Sequence, residues 1–292
     1  MIGSISGDII GSAFEAYAAL KEKEKKRKPK VPVRKPKVPV GALFSDKSTF
    51  TDDTVLTVAT ADAILNGSDY SDYIYRYAKK YPDVGYGSMF KEAIASGQLK
   101  PYNSWGNGSA MRIGPIGWAF DTLEETLEEA KKNSECSHNH PEGIRGACAI
   151  AMAIYLARTG SNKEEIKKAV SEKYFYDFSK NTSDFPRGAF DITCEGTVIR
   201  CMAIFMEEEG LENLIRKTIR VGGDVDTNAC IVGSICDAYY GMPSDDIIYN
   251  VYVRLPKDMA EIVTKFTQKY INKDFNPPKI GNADNSILNL EI

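Results

Sequence analysis

Two acidic clusters have the residue types and spacing to do chemistry: Phe50-Thr51-Asp52-Asp53-Thr54 and Gly222-Gly223-Asp224-Val225-Asp226-Thr227, some 170 residues apart. Each joins a pair of carboxylates to threonine hydroxyls. Presented twice, this is a hard, oxygen-rich donor set that suits Mg²⁺ or Mn²⁺ rather than zinc. Neither cluster has an adjacent Lys or Arg, so a cation is the expected counter-charge. Thr51 as an N-cap would put Asp52 and Asp53 in the first turn of a helix, where the positive end of the dipole favours carboxylates. Capping alone explains the first cluster; the pair carries the metal argument. In the second, Gly222 and Gly223 end one helix, Asp224 and Asp226 are expected to alternate along a short extended link, and Thr227 starts the next helix.

The elements that must position these clusters read as helices. Apolar residues recur at helical spacing in 55–65 and in 141–158. The second of these has Asn139 near its N-cap, Pro141 in its first turn and Gly160 just beyond its end. Similar patterns cover 5–20, 70–80, 122–135, 164–173, 194–208, 211–221, 227–240 and 257–271. Alternating β-branched runs bounded by turn pairs are scarce, so the expected fold class is all-α, in a single domain spanning 1–292.

Further motifs surround the clusters. Asp8, Ser12 and Glu15 stand at i, i+4 and i+7, one face of a helix, while Gly7 and Gly11 keep the opposite approach slim. Gly106-Asn107-Gly108-Ser109 reads as a small-residue loop whose N–H groups suit a diphosphate. Ser137-His138-Asn139-His140-Pro141 holds both histidines of the chain, and with no Cys or third His at ligand spacing it does not read as a zinc site. His140 reads as helix-start packing or a solvent-exposed residue. Asp191 and Glu195 suit either helix capping or contact with a ligand. Tyr102, Trp105, Trp118 and Phe120 flank the glycine motif and read first as core.

In order, the motifs Gly7 to Glu15, Phe50 to Thr54, Gly106 to Arg112, Ser137-His138 and Gly222 to Thr227 resemble the ADP-ribosylglycohydrolases, over residues 1 to about 243. The resemblance implies a compact multi-helix orthogonal bundle with a binuclear centre of two divalent cations, Mg²⁺ or Mn²⁺. By that likeness Thr51, Asp52, Asp53, Asp224, Asp226 and Thr227 are the metal ligands, and Gly106, Asn107, Gly108, Ser109, Ala110, Met111 and His138 contact the substrate. Asp52, Asp53 and Glu15 are the candidates for taking a proton from water, and Arg112 braces the glycine loop. One position departs from the pattern: Val225 stands where such proteins usually carry Ser, which removes a hydroxyl from beside the metal ligands.

The implied activity is hydrolysis of the bond between the distal ribose of ADP-ribose and an acceptor. The partner is then an ADP-ribosylated protein or a small ADP-ribose conjugate, with a modified nucleic-acid base as a further acceptor. Two other readings stand beside it. One is a Mg²⁺-dependent phosphohydrolase of ADP-ribose-like nucleotides; the other is a non-catalytic ADP-ribose-binding or crystallin-like relative.

Composition narrows the setting. Residues 21–40 hold ten Lys/Arg against two Glu, so this stretch is +8 while the net charge is −3. The remaining body is acidic, which argues against a general nucleic-acid binder. No apolar run approaches the ~18 residues of a membrane span, and the first 20 residues lack a signal-peptide pattern. The six cysteines form no CxxC pair and read as reduced core residues of a cytoplasmic protein. Residues 27–33 recur unchanged as 34–40, a proline-rich repeat that reads as an exposed, basic insertion at 21–40. The sequence leaves the oligomeric state open.

Overall fold

The structure is a computed structural model that describes residues 1–25 and 41–280, with side chains for 1–14 and 41–280. The first half contains α1 (Ile2–Lys25), α2 (Asp52–Asn66), α3 (Tyr70–Lys80), α4 (Ser88–Ala95), α5 (Gly108–Met111), α6 (Gly114–Ala119) and α7 (Leu123–Glu135). The second contains α8 (Pro141–Arg158), α9 (Lys163–Tyr174), α10 (Cys194–Glu207), α11 (Leu211–Val221), α12 (Val225–Tyr240), α13 (Asp245–Tyr252) and α14 (Lys257–Tyr270). Among the described residues there is no strand, only an isolated bridge between Gly106 and Thr193. The all-α expectation holds.

Two helices lie at the centre. In α12 every residue from Val225 to Ala238 is buried, and in α8 the run from Gly146 to Ile154 is buried as well. A helix that is apolar or small on all sides has no solvent face, so the others must wrap it. α1 packs antiparallel against α12. Gly7 and Gly11 permit this: a Cβ at Gly7 would stand 2.1 Å from Ala229 O, and one at Gly11 2.6 Å from Asp226 Cα. Ile5 and Ile9 of α1 join the same core, each contributing about 1.5–3 kcal/mol by burial.

Chain punctuation sets the entries to the site. Thr51 caps α2, its Oγ1 accepting from Asp53 N at 3.3 Å, and Gly67 ends that helix with φ 60°. Gly222 and Gly223 have φ of 76° and 92°, a left-handed turn between α11 and α12 that a side chain would strain. The N-cap of α8 is His140, not Asn139: His140 Nδ1 accepts from Glu142 N at 3.1 Å, while Asn139 Oδ1 accepts from Asn103 N at 2.7 Å. α1 runs on to Lys25, beyond the expected end at residue 20, so 21–25 of the basic stretch are helical. The duplicated repeat at 27–40 lies outside the described residues. The short α4, α5, α6 and α13 were not anticipated, because helices of eight residues or fewer show too little periodicity.

Candidate active site

The N-termini of α2 and α12 meet beside α1, which brings the two acidic clusters together. Carboxylate oxygens of Asp8, Asp53 and Asp226 lie within 4.8 Å of one another, all buried. Asp53 Oδ2 accepts from Thr227 Oγ1, 174 positions away, at 3.3 Å and lies 3.3 Å from Thr51 Oγ1, so one oxygen touches both clusters. Thr227 N donates to Asp226 Oδ1 at 2.9 Å.

Asp226 corrects the expected extended link. It sits in the first turn of α12, and only Asp224 precedes the helix, with φ −75° and ψ 81°. Asp224 is held from another direction. Asn107 Nδ2 donates to its Oδ2 at 2.6 Å and reaches Thr197 Oγ1 at 3.1 Å.

Asp8 organises the first cluster. Its fully buried carboxylate accepts from Thr51 N at 2.9 Å, Thr51 Oγ1 at 2.7 Å and Thr54 N at 3.1 Å, and a short bond from Thr54 Oγ1 completes the set. Burial pushes the Asp8 carboxyl up to about 6 against the lowering effect of the Thr54 and Thr51 bonds. Thr51 Oγ1 has one proton and gives the shorter bond to Asp8, which turns its lone pairs toward Asp53. Sequence reading placed Asp8 on the right helix face but not among the site residues. Its partners lie 43 and 46 positions away, so no local signal connects them.

A cavity of about 400 Å³ opens beside these groups. Its wall includes Thr51, Asp52, Asp53, Asp224, Asp226 and Thr227, and also Gly106, Asn107, Gly108, Met111 and His138. Ser109 and Ala110 do not line it: both are buried, and Ser109 Oγ donates to Gly143 O at 2.9 Å. The expected 106–109 loop is in part the short helix α5. Gly106 N donates to Ser104 Oγ and Asn107 N to Ile192 O, so these two N–H groups are engaged within the protein. Glu15 is on α1, but its side chain lies outside the described part.

Arg112 is fully buried, contributes to the cavity wall, and ties α5 to α7 and the turn after it, through Asn133 and Ser137. The rim carries Met89, Phe190 and Ile192, all exposed. Tyr102 lines the cavity edge-on to His138, while Trp105 is exposed against His140 rather than in the core. Asp191 Oδ1 accepts from Thr193 N and Oγ1, and Glu195 pairs with Arg145 at 3.1 Å. Both therefore serve local structure. Val225 is buried and absent from the cavity wall.

The donor set fits divalent cations. Three buried carboxylates within 4.8 Å repel one another in a low-dielectric setting, and a hard cation relieves that repulsion through oxygen ligands.

Comparison with known proteins agrees with this architecture. The ADP-ribosylglycohydrolase family model matches residues 1–268. ADP-ribosylhydrolase ARH3 of Danio rerio is 26% identical over 322 residues, covering 86% of this chain and 84% of that protein. ARH3 of Homo sapiens is 25% identical over 307 residues, with 83% and 84% covered. The putative ADP-ribosyl glycohydrolase L543 of Acanthamoeba polyphaga mimivirus is 24% identical over 328 residues, with 96% and 94% covered. A solved structure described as an ADP-ribosylglycohydrolase-related protein complex superposes with a TM-score of 0.66 at 20% identity, covering 91% of this chain and 96% of that one. This last likeness concerns the fold.

Proposed function

Because the chain belongs to the ADP-ribosylglycohydrolase family, we propose that it hydrolyses the bond between C1″ of the distal ribose of ADP-ribose and an acceptor atom. One observation carries the reading: the Asp8, Asp53 and Asp226 carboxylates converge beside a cavity whose wall includes Asp53, Asp226, the Gly106–Gly108 turn and His138. The site is metal-dependent in this reading, with two cations, Mg²⁺ or Mn²⁺, held by Thr51, Asp52, Asp53, Asp224, Asp226 and Thr227. When bound, such cations supply Lewis acidity toward ribose hydroxyls and lower the pKa of a water.

The protein's own groups do the rest. Asp8 orients Thr51, and Asn107 fixes Asp224 while standing on the cavity wall, which couples the carboxylates to the substrate region. As the acceptor departs, positive charge develops on the ribose, and the surrounding carboxylates stabilise it. One of Asp52, Asp53 and Glu15 takes the water proton. The Gly106–Met111 segment and His138 receive the nucleotide. The chain acts as one catalytic domain in this reading, and the six free, buried cysteines suit a reducing cytoplasmic setting. Among the described residues no helix is long and apolar enough to cross a membrane.

The test is release of free ADP-ribose from a panel of substrates modified on arginine, on serine or on a nucleic-acid base, together with O-acetyl-ADP-ribose. Asp226→Ala should abolish release while circular dichroism stays unchanged, and EDTA should do the same to the wild type. Full activity in either case overturns the reading, and AMP with ribose 5-phosphate as products would replace it with the phosphohydrolase.

A further inference from the structure

His138 faces the cavity, and its ring is held from behind by a chain of hydrogen bonds with a defined direction. Arg112, fully buried, has donors only. Its Nε donates to Asn133 Oδ1 at 2.9 Å, and its Nη2 donates to Asn133 O at 2.8 Å and to Ser137 Oγ at 2.9 Å. A hydroxyl that accepts from a guanidinium cannot return its proton there. On its other side, 2.7 Å away, is His138 Nδ1. The hydroxyl proton has two acceptors in reach, His138 Nδ1 and the Tyr102 hydroxyl; given to Nδ1, it leaves that nitrogen bare and a neutral ring protonated on Nε2.

Nε2 lies against the glycine turn. A Cβ at Gly108 would stand 2.9 Å from it, and one at Gly106 3.7 Å. Both glycines line the cavity. Any side chain at 108 would crowd the ring at Nε2, which gives the glycine there a reason beyond backbone freedom.

We propose that Arg112 and Ser137 are positioning residues that lock His138 as the Nε2–H tautomer, so that His138 offers the cavity a hydrogen-bond donor and not a base. Its ligand is an acceptor oxygen, of a phosphate or of a ribose. The identity of that ligand as ADP-ribose rests on the function proposed above; the tautomer does not. Burial, and after it the Arg112 charge, holds the imidazole well below its usual pKa, which keeps the ring neutral. Acceptance of a proton from water then falls to the carboxylates.

The chain has two histidines, so ¹⁵N correlation spectra of the imidazoles read the tautomer directly. His140 is identified by its loss in His140→Asn, where Asn is itself a good N-cap. In ligand-free wild type, His138 should show a protonated Nε2 and a bare Nδ1. Tyr102 stands close enough to Ser137 to sense its hydroxyl, so Tyr102→Phe removes the competing destination for the proton and should leave the pattern unchanged. Ser137→Ala should release the lock and populate the other tautomer, and Ser137→Thr should restore it. A protonated Nδ1 in wild type overturns the proposal, and so does an unchanged pattern in folded Ser137→Ala.

Calorimetry with ADP-ribose tests the donor role. His138→Gln, whose amide nitrogen can stand where Nε2 does, should bind within about threefold of wild type, while His138→Leu should lose about tenfold. A folded Gln variant as weak as the Leu variant overturns the donor. If the wild type fails to bind ADP-ribose, the substrate assignment falls, and the spectra still decide the tautomer.

Discussion

Asp8 is the residue on which the first acidic cluster hangs, since its carboxylate receives two N–H and two hydroxyl donors from Thr51 and Thr54. Asp8→Asn replaces one acceptor oxygen with a donor that faces other donors. The variant should lose about 2–3 kcal/mol in urea denaturation and bind Mn²⁺ more weakly in calorimetry; unchanged Mn²⁺ affinity would show that Thr51 needs no such anchor. Val225 makes the opposite point. The missing hydroxyl looked significant in the sequence, yet the side chain is buried away from the cavity wall. Val225→Ser should therefore cost about 1–3 kcal/mol of stability by burying a hydroxyl and leave the turnover rate within a small factor of wild type. Motif order singled out the carboxylates of both clusters as candidates, and Asp53 and Asp226 do lie together. It named Asn107 only as a substrate contact and left Asp8 out of the site, because their partners, Asp224 for the one and Thr51 and Thr54 for the other, are distant in the chain.

At the scale of elements, the site depends on how closely α1 lies on α12. Gly11 touches the backbone of Asp226 directly, and Asp8 stands three residues before it on the same helix. Gly11→Ala should force the two helices apart at Asp226, a proposed ligand. It should destabilise the fold by about 1–3 kcal/mol and weaken Mn²⁺ binding as well, a pairing that a mere packing defect elsewhere would not produce. Long helices were legible because capping residues and apolar periodicity repeat along them, as with Thr51, Gly67 and the Gly222-Gly223 break. α5 was not. Four residues carry no period, and Gly106-Asn107-Gly108 reads as a loop until Ile192 O, Asn107 O and Gly143 O take up its hydrogen bonds.

For the whole molecule, a cation that binds only the folded chain must stabilise it. At a hundredfold excess over its dissociation constant the gain is about 2.7 kcal/mol, and at roughly 2–4 °C per kcal/mol for a chain of this size Mn²⁺ should raise the melting temperature by about 5–10 °C. Asp226→Ala should melt at the same temperature with and without Mn²⁺, and a full shift in that variant would remove Asp226 from the ligand set. The sequence by itself determined the helical class, the two donor clusters and the family, because composition, caps and ordered motifs are local properties of the chain. Only the tertiary structure decided that α1 brings Asp8 to Thr51, that Asn107 fixes Asp224, that Val225 is buried off the cavity wall, and that Arg112 reaches His138 through Ser137. Each of these is a contact between residues far apart in the chain or a choice of direction around a helix, and both are set by how the helices pack.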